Sequence, residues 1–248
     1  MWRLRLMGAV RGAAPPSSTF RVCHETRVSP IVRPLSSADK QVPYPVPKRI
    51  VDKLVCGALL LLLAPFVVLV LVAVAVDVLF ARRDRGSVLY REPRVSRGRT
   101  FELLKFRTLR TDALAEMWRT GGHARLYEAD AANLTWAGRR VLKPWYLDEV
   151  PQLLNVLRGD ISLVGPRPWP PEMVERQVAQ GQDYRQHVMA GLTGAAQVTK
   201  GGGVPYADLD REYVERCRTL RSWALVRYDL ELLVRTVGVI ARGEGLNY

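Results

Sequence analysis

Cysteine and histidine are scarce in this sequence, with three of each in 248 residues. Cys23, Cys56 and Cys217 are odd in number and far apart, which argues against a disulfide framework, a zinc knuckle or a redox pair. His24, His123 and His187 are equally dispersed, and a histidine-rich metal centre is not expected. Acidic residues are also in short supply. The 24 Asp and Glu face 37 Lys and Arg, a net charge of +13. Such a surplus calls for an anionic partner, and charge alone does not choose among nucleic acid, anionic lipid and a phosphorylated substrate. No zinc-finger or aromatic-repeat pattern accompanies the basic residues, so nucleic acid is not an expected partner. The apolar fraction of 48% excludes wholesale disorder.

Charge is missing altogether from residues 54–76, a run of 23 residues. That length crosses a bilayer core, and a buried helix of a soluble protein is rarely so apolar on every side. Lys48, Arg49 and Lys53 precede the run, and Arg82, Arg83 and Arg85 follow it, so the flanks lack the asymmetry of a simple span. Pro65 sits near the middle, where it removes a backbone donor and bends a helix. A broken helix that enters and leaves by one face and a spanning helix with a tolerated proline are both open on these residues. Before the run, Pro15, Pro16, Pro43, Pro45 and Pro47 break any long helix, and residues 1–47 are expected to form a loosely ordered cytoplasmic tail.

Residues 81–110 carry ten Arg or Lys against three Asp or Glu, with short strands expected at 88–90 and 100–104 around a turn at 96–98. Helical composition marks 112–127, interrupted by Gly121 and Gly122, then 148–157 with Leu153, Leu154 and Leu157 on an apolar side, and 170–187. Residues 213–240 read as one or two amphipathic helices, able to pack on a core or lie at a lipid interface. Helices that face lipid and helices that face a second subunit share that pattern, so a homodimer is left open.

Few residues stand out chemically. Asp148 and Glu149 are adjacent carboxylates near a helix start, where the dipole alone would favour them. Neighbouring helical side chains point about 100° apart, so one can face a substrate while the other holds a metal. A carboxylate can also attack phosphorus covalently. Gly165-Pro166-Arg167-Pro168 fixes the backbone around one guanidinium, suited to bidentate contact with phosphate oxygens or to a stiff surface turn. Lys105-Phe106-Arg107 places two cations opposite an apolar anchor if extended. Asp160 and Ser162 read as turn caps, Gly201 to Gly203 as a flexible loop, and His187 as a packed histidine.

Taken in order, these pieces resemble the bacterial sugar transferases, the monotopic polyprenyl-phosphate phosphoglycosyl transferases. The resemblance begins at Lys48-Arg49-Ile50-Val51-Asp52 and runs through the Pro65 segment and Lys105-Phe106-Arg107-Thr108. It is sharpest over Leu147-Asp148-Glu149-Val150-Pro151-Gln152-Leu153-Leu154-Asn155 and Gly159-Asp160-Ile161-Ser162-Leu163-Val164-Gly165-Pro166-Arg167-Pro168. Gly191-Leu192-Thr193-Gly194 with Gln197-Val198, and Asp210 with Tyr213, extend it over residues 48–245.

The resemblance implies an α+β chain in three parts. These are a tail at 1–47, a re-entrant helix-break-helix at 48–80 with Pro65 as the break, and a mostly helical cytoplasmic domain at 81–248 with short strands and interfacial amphipathic helices. It implies that Asp148 attacks the sugar-bearing phosphate of a UDP-sugar and that UMP leaves. Polyprenyl phosphate would then take the phosphosugar from the enzyme at the cytoplasmic face of the bacterial inner membrane. Glu149 would help bind Mg2+ and Arg167 phosphate, with Lys105 and Arg107 as further substrate-binding cations and membrane lipids as partners. The chain departs from the family pattern at Ala64, Gly86-Ser87, Glu92-Pro93-Arg94-Val95-Ser96 and Pro144-Trp145-Tyr146, where the family usually has Ser, Gly-Pro, Gln-Glu-Arg-Val-Gly and a shorter approach ending in Ser. Pro93 would forbid one strand hydrogen bond. An inactive membrane scaffold of a polysaccharide assembly complex is the alternative, distinguished by forming no phosphosugar adduct.

Overall fold

The computed structural model describes residues 41–80, 85–199 and 203–242. Most of the expected tail, with Cys23 and His24, lies outside the described residues, as do Arg82, Arg83, Gly201 and Gly202. From residue 41 the chain is packed. Val42 is buried against Tyr184, Val188 and Val214, and its N–H donates to the His187 carbonyl at 2.9 Å.

Helix α1 (Val46–Phe80) carries the apolar run and is long and apolar enough to cross a membrane. It continues through Pro65, so the break expected there is not a gap in the helix. Proline removes one donor, and the helical bonds on either side can hold the segment together. Both ends of α1 are buried through polar side chains. At the first, the Lys48 ammonium donates to the Val164 carbonyl at 3.1 Å and pairs with Asp229. One turn on, Asp52 accepts from the Ser162 hydroxyl at 2.6 Å and from Tyr44. At the second end, Asp77 accepts from the Ala137 N–H at 2.8 Å. Between them apolar side chains face outward, with Leu61 80% exposed.

Strands β1 (Leu89–Ser96) and β2 (Arg99–Phe106) form an antiparallel hairpin, longer than the sequence indicated. Its turn is Arg97-Gly98, both with positive φ, which matches the twist of a tight hairpin. Pro93 pairs with Glu102 in the same phase as Val95, whose N–H points away from β2 to the Trp169 carbonyl at 2.9 Å. Because antiparallel pairs alternate, the donor Pro93 lacks would also have faced away, and no bond to β2 is lost.

Helices α2 (Thr111–Thr120) and α3 (Ala124–Glu128) follow, separated at Gly121 as expected. A π-helical turn (Gly138–Leu142) and a 3-10 turn (Leu147–Glu149) lead into α4 (Gln152–Arg158), with Leu153 buried but Leu154 exposed. Asn155 of α4 clamps the outer edge of β2. Its oxygen accepts from the Leu104 N–H at 3.0 Å, and its amide donates to the Glu102 carbonyl and to Asp160, each at 2.8 Å. Strand β3 (Ser162–Val164) precedes α5 (Pro171–Ala179), which ends well before His187; a separate 3-10 turn covers Tyr184–His187. Strand β4 (Gly191–Thr193) pairs in parallel with β3 and leads into α6 (Ala195–Val198). The chain closes with α7 (Tyr206–Thr219) and α8 (Ser222–Ala241). The core joins Cys56 and Val70 of α1 to Leu103, Leu153, Ile161, Leu163, Tyr213 and Leu232. Helix α8 leaves Trp223, Val234 and Val237 exposed.

Candidate active site

Asp148 and Glu149 share the 3-10 turn before α4 and line a cavity of about 540 Å3. Tyr146, in the left-handed region at φ 54°, turns the chain just before them. That conformation costs a non-glycine residue about 1–2 kcal/mol. Asp148 is only 3% exposed. Burial raises its pKa to about 6 and Glu149 adds to the rise, against the opposing pull of Lys143 and Lys105.

Lys143, just after the π-helical turn, brings its ammonium 3.3 Å from Asp148 and also pairs with Glu128. Glu128 is fixed in turn by the Thr108 hydroxyl at 2.6 Å. Burial disfavours the Lys143 charge, but Asp148 and Glu128 outweigh it and hold its pKa above the ordinary value. Glu149 shows the opposite balance from Asp148. Burial pushes it up, while Arg167, Lys105 and Lys143 bring it below the usual carboxylate value. Its oxygen lies 3.3 Å from the Arg167 guanidinium.

Two crossings hold the Arg167 loop. The Gly165 N–H donates to the Thr193 carbonyl at 2.8 Å, and Trp169 accepts from Val95. Arg185 adds a bond to the Arg167 carbonyl at 3.2 Å, lies 3.9 Å from the centre of the Trp169 ring, and pairs with Asp210. Gln197 also lines the cavity, and both of its buried amide atoms lack a hydrogen-bond partner.

The structure thus brings together Asp148, Glu149, Arg167 and Lys105. Arg107 is placed elsewhere. Strand β2 ends at Phe106, and the buried Arg107 guanidinium donates to the carbonyls of Ser87 at 2.8 Å and Leu109 at 2.9 Å. Its N–H still donates to the Val88 carbonyl at 2.9 Å, in register with the Leu89–Phe106 pair, so backbone carbonyls that capture the side chain, not the end of the strand, keep it out of the cavity. Pro65 belongs to α1 and does not line this cavity. Lys143, Glu128 and Arg185 were not singled out from the sequence. Each meets its partners across separate elements, and no local spacing announces them.

The arrangement offers a carboxylate able to ionise near neutrality, cations that can receive a polyanion, and a second carboxylate free to stay charged. An attacking Asp148 must be ionised. Activity is therefore expected to fall as pH drops through about 6. Lys143→Met should move that acid limb upward, because it removes the charge that favours the carboxylate. The pH profile of kcat/KM checks this, and an unshifted limb would remove Lys143 from the account.

The family model for bacterial sugar transferases matches residues 44–243. The chain is 33% identical over 211 residues to an uncharacterized sugar transferase of Haemophilus influenzae, covering 80% of this chain and 41% of that protein. It is 34% identical over 218 residues to the undecaprenyl-phosphate glucose phosphotransferase of Komagataeibacter xylinus, covering 83% and 37%. With the exopolysaccharide production protein ExoY of Rhizobium meliloti it shares 31% over 255 residues, covering 97% and 99%. The chain spans about two fifths of the first two relatives and nearly all of the third. It belongs to the bacterial sugar transferase family.

Proposed function

We propose that this chain transfers a sugar 1-phosphate from a UDP-sugar to polyprenyl phosphate at a membrane surface, initiating exopolysaccharide or glycoconjugate synthesis. The observation that carries the reading is Asp148, a buried carboxylate facing the one cavity where Lys143, Lys105 and Arg167 converge among the described residues. An Asp148 oxygen forms a bond to the sugar-bearing phosphorus of the donor. The bond from that phosphorus to the bridging oxygen breaks, and UMP leaves with the electron pair. The phosphate oxygen of polyprenyl phosphate then attacks the same phosphorus. The acyl-phosphate bond breaks, Asp148 returns as a carboxylate, and the product is a polyprenyl diphosphate sugar. Arg167 and Lys105 bind the donor phosphates and offset the repulsion between anion and anion.

Among the described residues no three His, Cys, Asp or Glu side chains converge as a metal cluster. Mg2+ does not need one, because it is commonly held by one or two carboxylates together with substrate phosphates. Glu149, held below the usual carboxylate pKa and with its side chain 23% exposed, lines the cavity and fits that role beside Asp148. When bound, Mg2+ would supply charge neutralisation on the diphosphate. Glu149→Gln is expected to raise the Mg2+ concentration needed for half-maximal UMP release by roughly tenfold or more. A Mg2+ titration identical to wild type would assign the metal elsewhere.

The apolar helix enters and leaves the membrane by the same face in this reading. Support comes from its ends. Lys48 and Asp52 at one end and Asp77 at the other are all buried in polar contacts with the domain that holds the cavity. A spanning helix would separate such ends by about 30 Å of hydrocarbon. Single cysteines introduced at Lys53 and Arg85 should label from the cytoplasmic side alone, and labelling from opposite sides would require a full span. The activity itself is tested by incubating the purified chain with Mg2+, a defined polyprenyl phosphate and a panel of UDP-sugars. UMP release with at least one donor is expected. Failure with every donor, by folded protein, would favour the scaffold reading.

A further inference from the structure

A second cavity, of about 470 Å3, opens at the tip of the hairpin. It shares no lining residue with the cavity around Asp148. Arg97 and Arg99 stand at the tip, whereas Lys105 lies six residues further along β2, about 20 Å away at the strand rise. Arg158 lies at the end of α4 opposite Asp148. With Arg49 and Lys53 of α1 these make five cations, against one lining carboxylate, Asp160, which already accepts from Asn155. None of the five forms an ion pair with a described residue.

Ordinary structural causes account for part of this cluster. The C-terminal end of a helix dipole attracts Arg158. The Tyr44 ring supports Arg49, whose guanidinium carbon is 5.1 Å from the ring centre. Neither explains why Lys53, Arg97 and Arg99 gather at the same place. Arg97 is the most telling. It occupies a left-handed turn position, and its buried Nε has no hydrogen-bond partner. Burial and the neighbouring Arg49 and Arg99 lower its pKa, so these cations face one another uncompensated. A bound anion would relieve that repulsion and supply the missing acceptor.

The start of α1 shows where such an anion would be met. Lys48, Asp52 and Cys56 form the buried row, while Val46, Ile50 and Leu54 form an exposed apolar row at the same spacing. Arg49 and Lys53 run beside the apolar row and line the cavity. An exposed apolar stripe next to a cationic recess, immediately before the charge-free run, matches the boundary between lipid tails and phosphates.

We propose that Arg49, Lys53, Arg97, Arg99 and Arg158 form a second anion site, separate from the reaction centre, that receives a phosphate group at the membrane surface. The phosphate can belong to a lipid headgroup or to a free anion, and the two sources are separable. The full chain, purified in a neutral detergent, is titrated with dioctanoyl phosphatidic acid, dioctanoyl phosphatidylcholine or inorganic phosphate while its melting temperature is followed. Phosphatidic acid should raise the melting temperature saturably and phosphatidylcholine should not. The double variant Arg97→Gln/Arg99→Gln should weaken the apparent affinity by roughly ten- to thirtyfold, with Arg167→Gln within about twofold of wild type. An equal response to inorganic phosphate assigns a free anion, and a response to the lipid alone assigns the headgroup. Lys53→Gln, a change at an exposed side chain, carries the test if the double variant does not fold. The proposal is overturned if neither phosphate probe shifts the wild type, if the tip variants and Lys53→Gln bind as wild type does, or if Arg167→Gln alone abolishes the response. Because binding is read without turnover, these outcomes are independent of the transfer reaction proposed for Asp148.

Discussion

Asp148→Asn is expected to abolish the phosphosugar adduct and lower turnover by ~10³-fold or more, the scale of removing a covalent nucleophile. The same change should make the protein more stable at neutral pH. Burial raises the Asp148 pKa from 3.8 to about 6 in the fold, so the folded state holds its proton more tightly than the unfolded chain does. The stability this confers is present below pH 4 and is lost as pH rises through about 6. Above that range the ionised carboxylate weighs against folding, even with Lys143 3.3 Å away. Asn has nearly the same shape and no charge to bury. At pH 7.5 the variant should gain on the order of 1–3 kcal/mol, and the gain should fade toward pH 4. Intact-protein mass after donor addition, turnover, and melting curves at both pH values test the pair of effects. An Asn variant that still forms the adduct removes Asp148 as nucleophile. One that is inactive but less stable at pH 7.5 makes the carboxylate part of the scaffold. Lost activity with increased stability is the signature of a group held against its own solvation for chemistry.

The parts of the site legible in the sequence are those that lie within one short segment. Asp148 and Glu149 are adjacent, and two prolines bracket Arg167, so local reading singled them out, and the family resemblance rather than local rules gave them roles. Their convergence depends on distant contacts that local rules do not contain. Asn155 ties α4 to β2 and so holds Lys105 beside the Asp148 turn. Lys143 and Glu128 meet across the π-helical turn and the end of α3. Arg107 shows the reverse failure. Extended periodicity put it beside Lys105, and its N–H does continue the ladder to Val88, but backbone carbonyls take its guanidinium. In the fold, the apolar run and the terminal helices were plain from composition. The buried polar contacts of Lys48, Asp52 and Asp77 were not, because a charge flanking a membrane segment normally reads as a solvated boundary.

Gly191→Ala should be the most damaging small substitution away from Asp148, Glu149 and Arg167. Its backbone does not require glycine for a left-handed conformation; space does. A Cβ there would lie 2.0 Å from the Gly165 nitrogen and 2.6 Å from the Gly165 Cα, both backbone atoms. The segment that follows β3 lies directly against β4 here, with the Gly191 N–H donating to the Pro166 carbonyl at 2.9 Å and the Gly165 N–H to Thr193. To admit one methyl group they must separate, and the flanking prolines leave the Arg167 loop little freedom to absorb the shift. The expected loss is about 3 kcal/mol, at the upper end of overpacking. A displacement of Arg167 by about 1 Å would cost kcat/KM roughly 10²-fold. Gly159→Ala provides the contrast. Gly159 has φ 84° with nothing near its Cβ position, so alanine there should cost about 1 kcal/mol in backbone strain and leave the site unmoved. Melting curves and kcat/KM for both variants separate space from conformation. If Gly191→Ala keeps wild-type stability and activity, the close approach of Gly191 to Gly165 does not position Arg167.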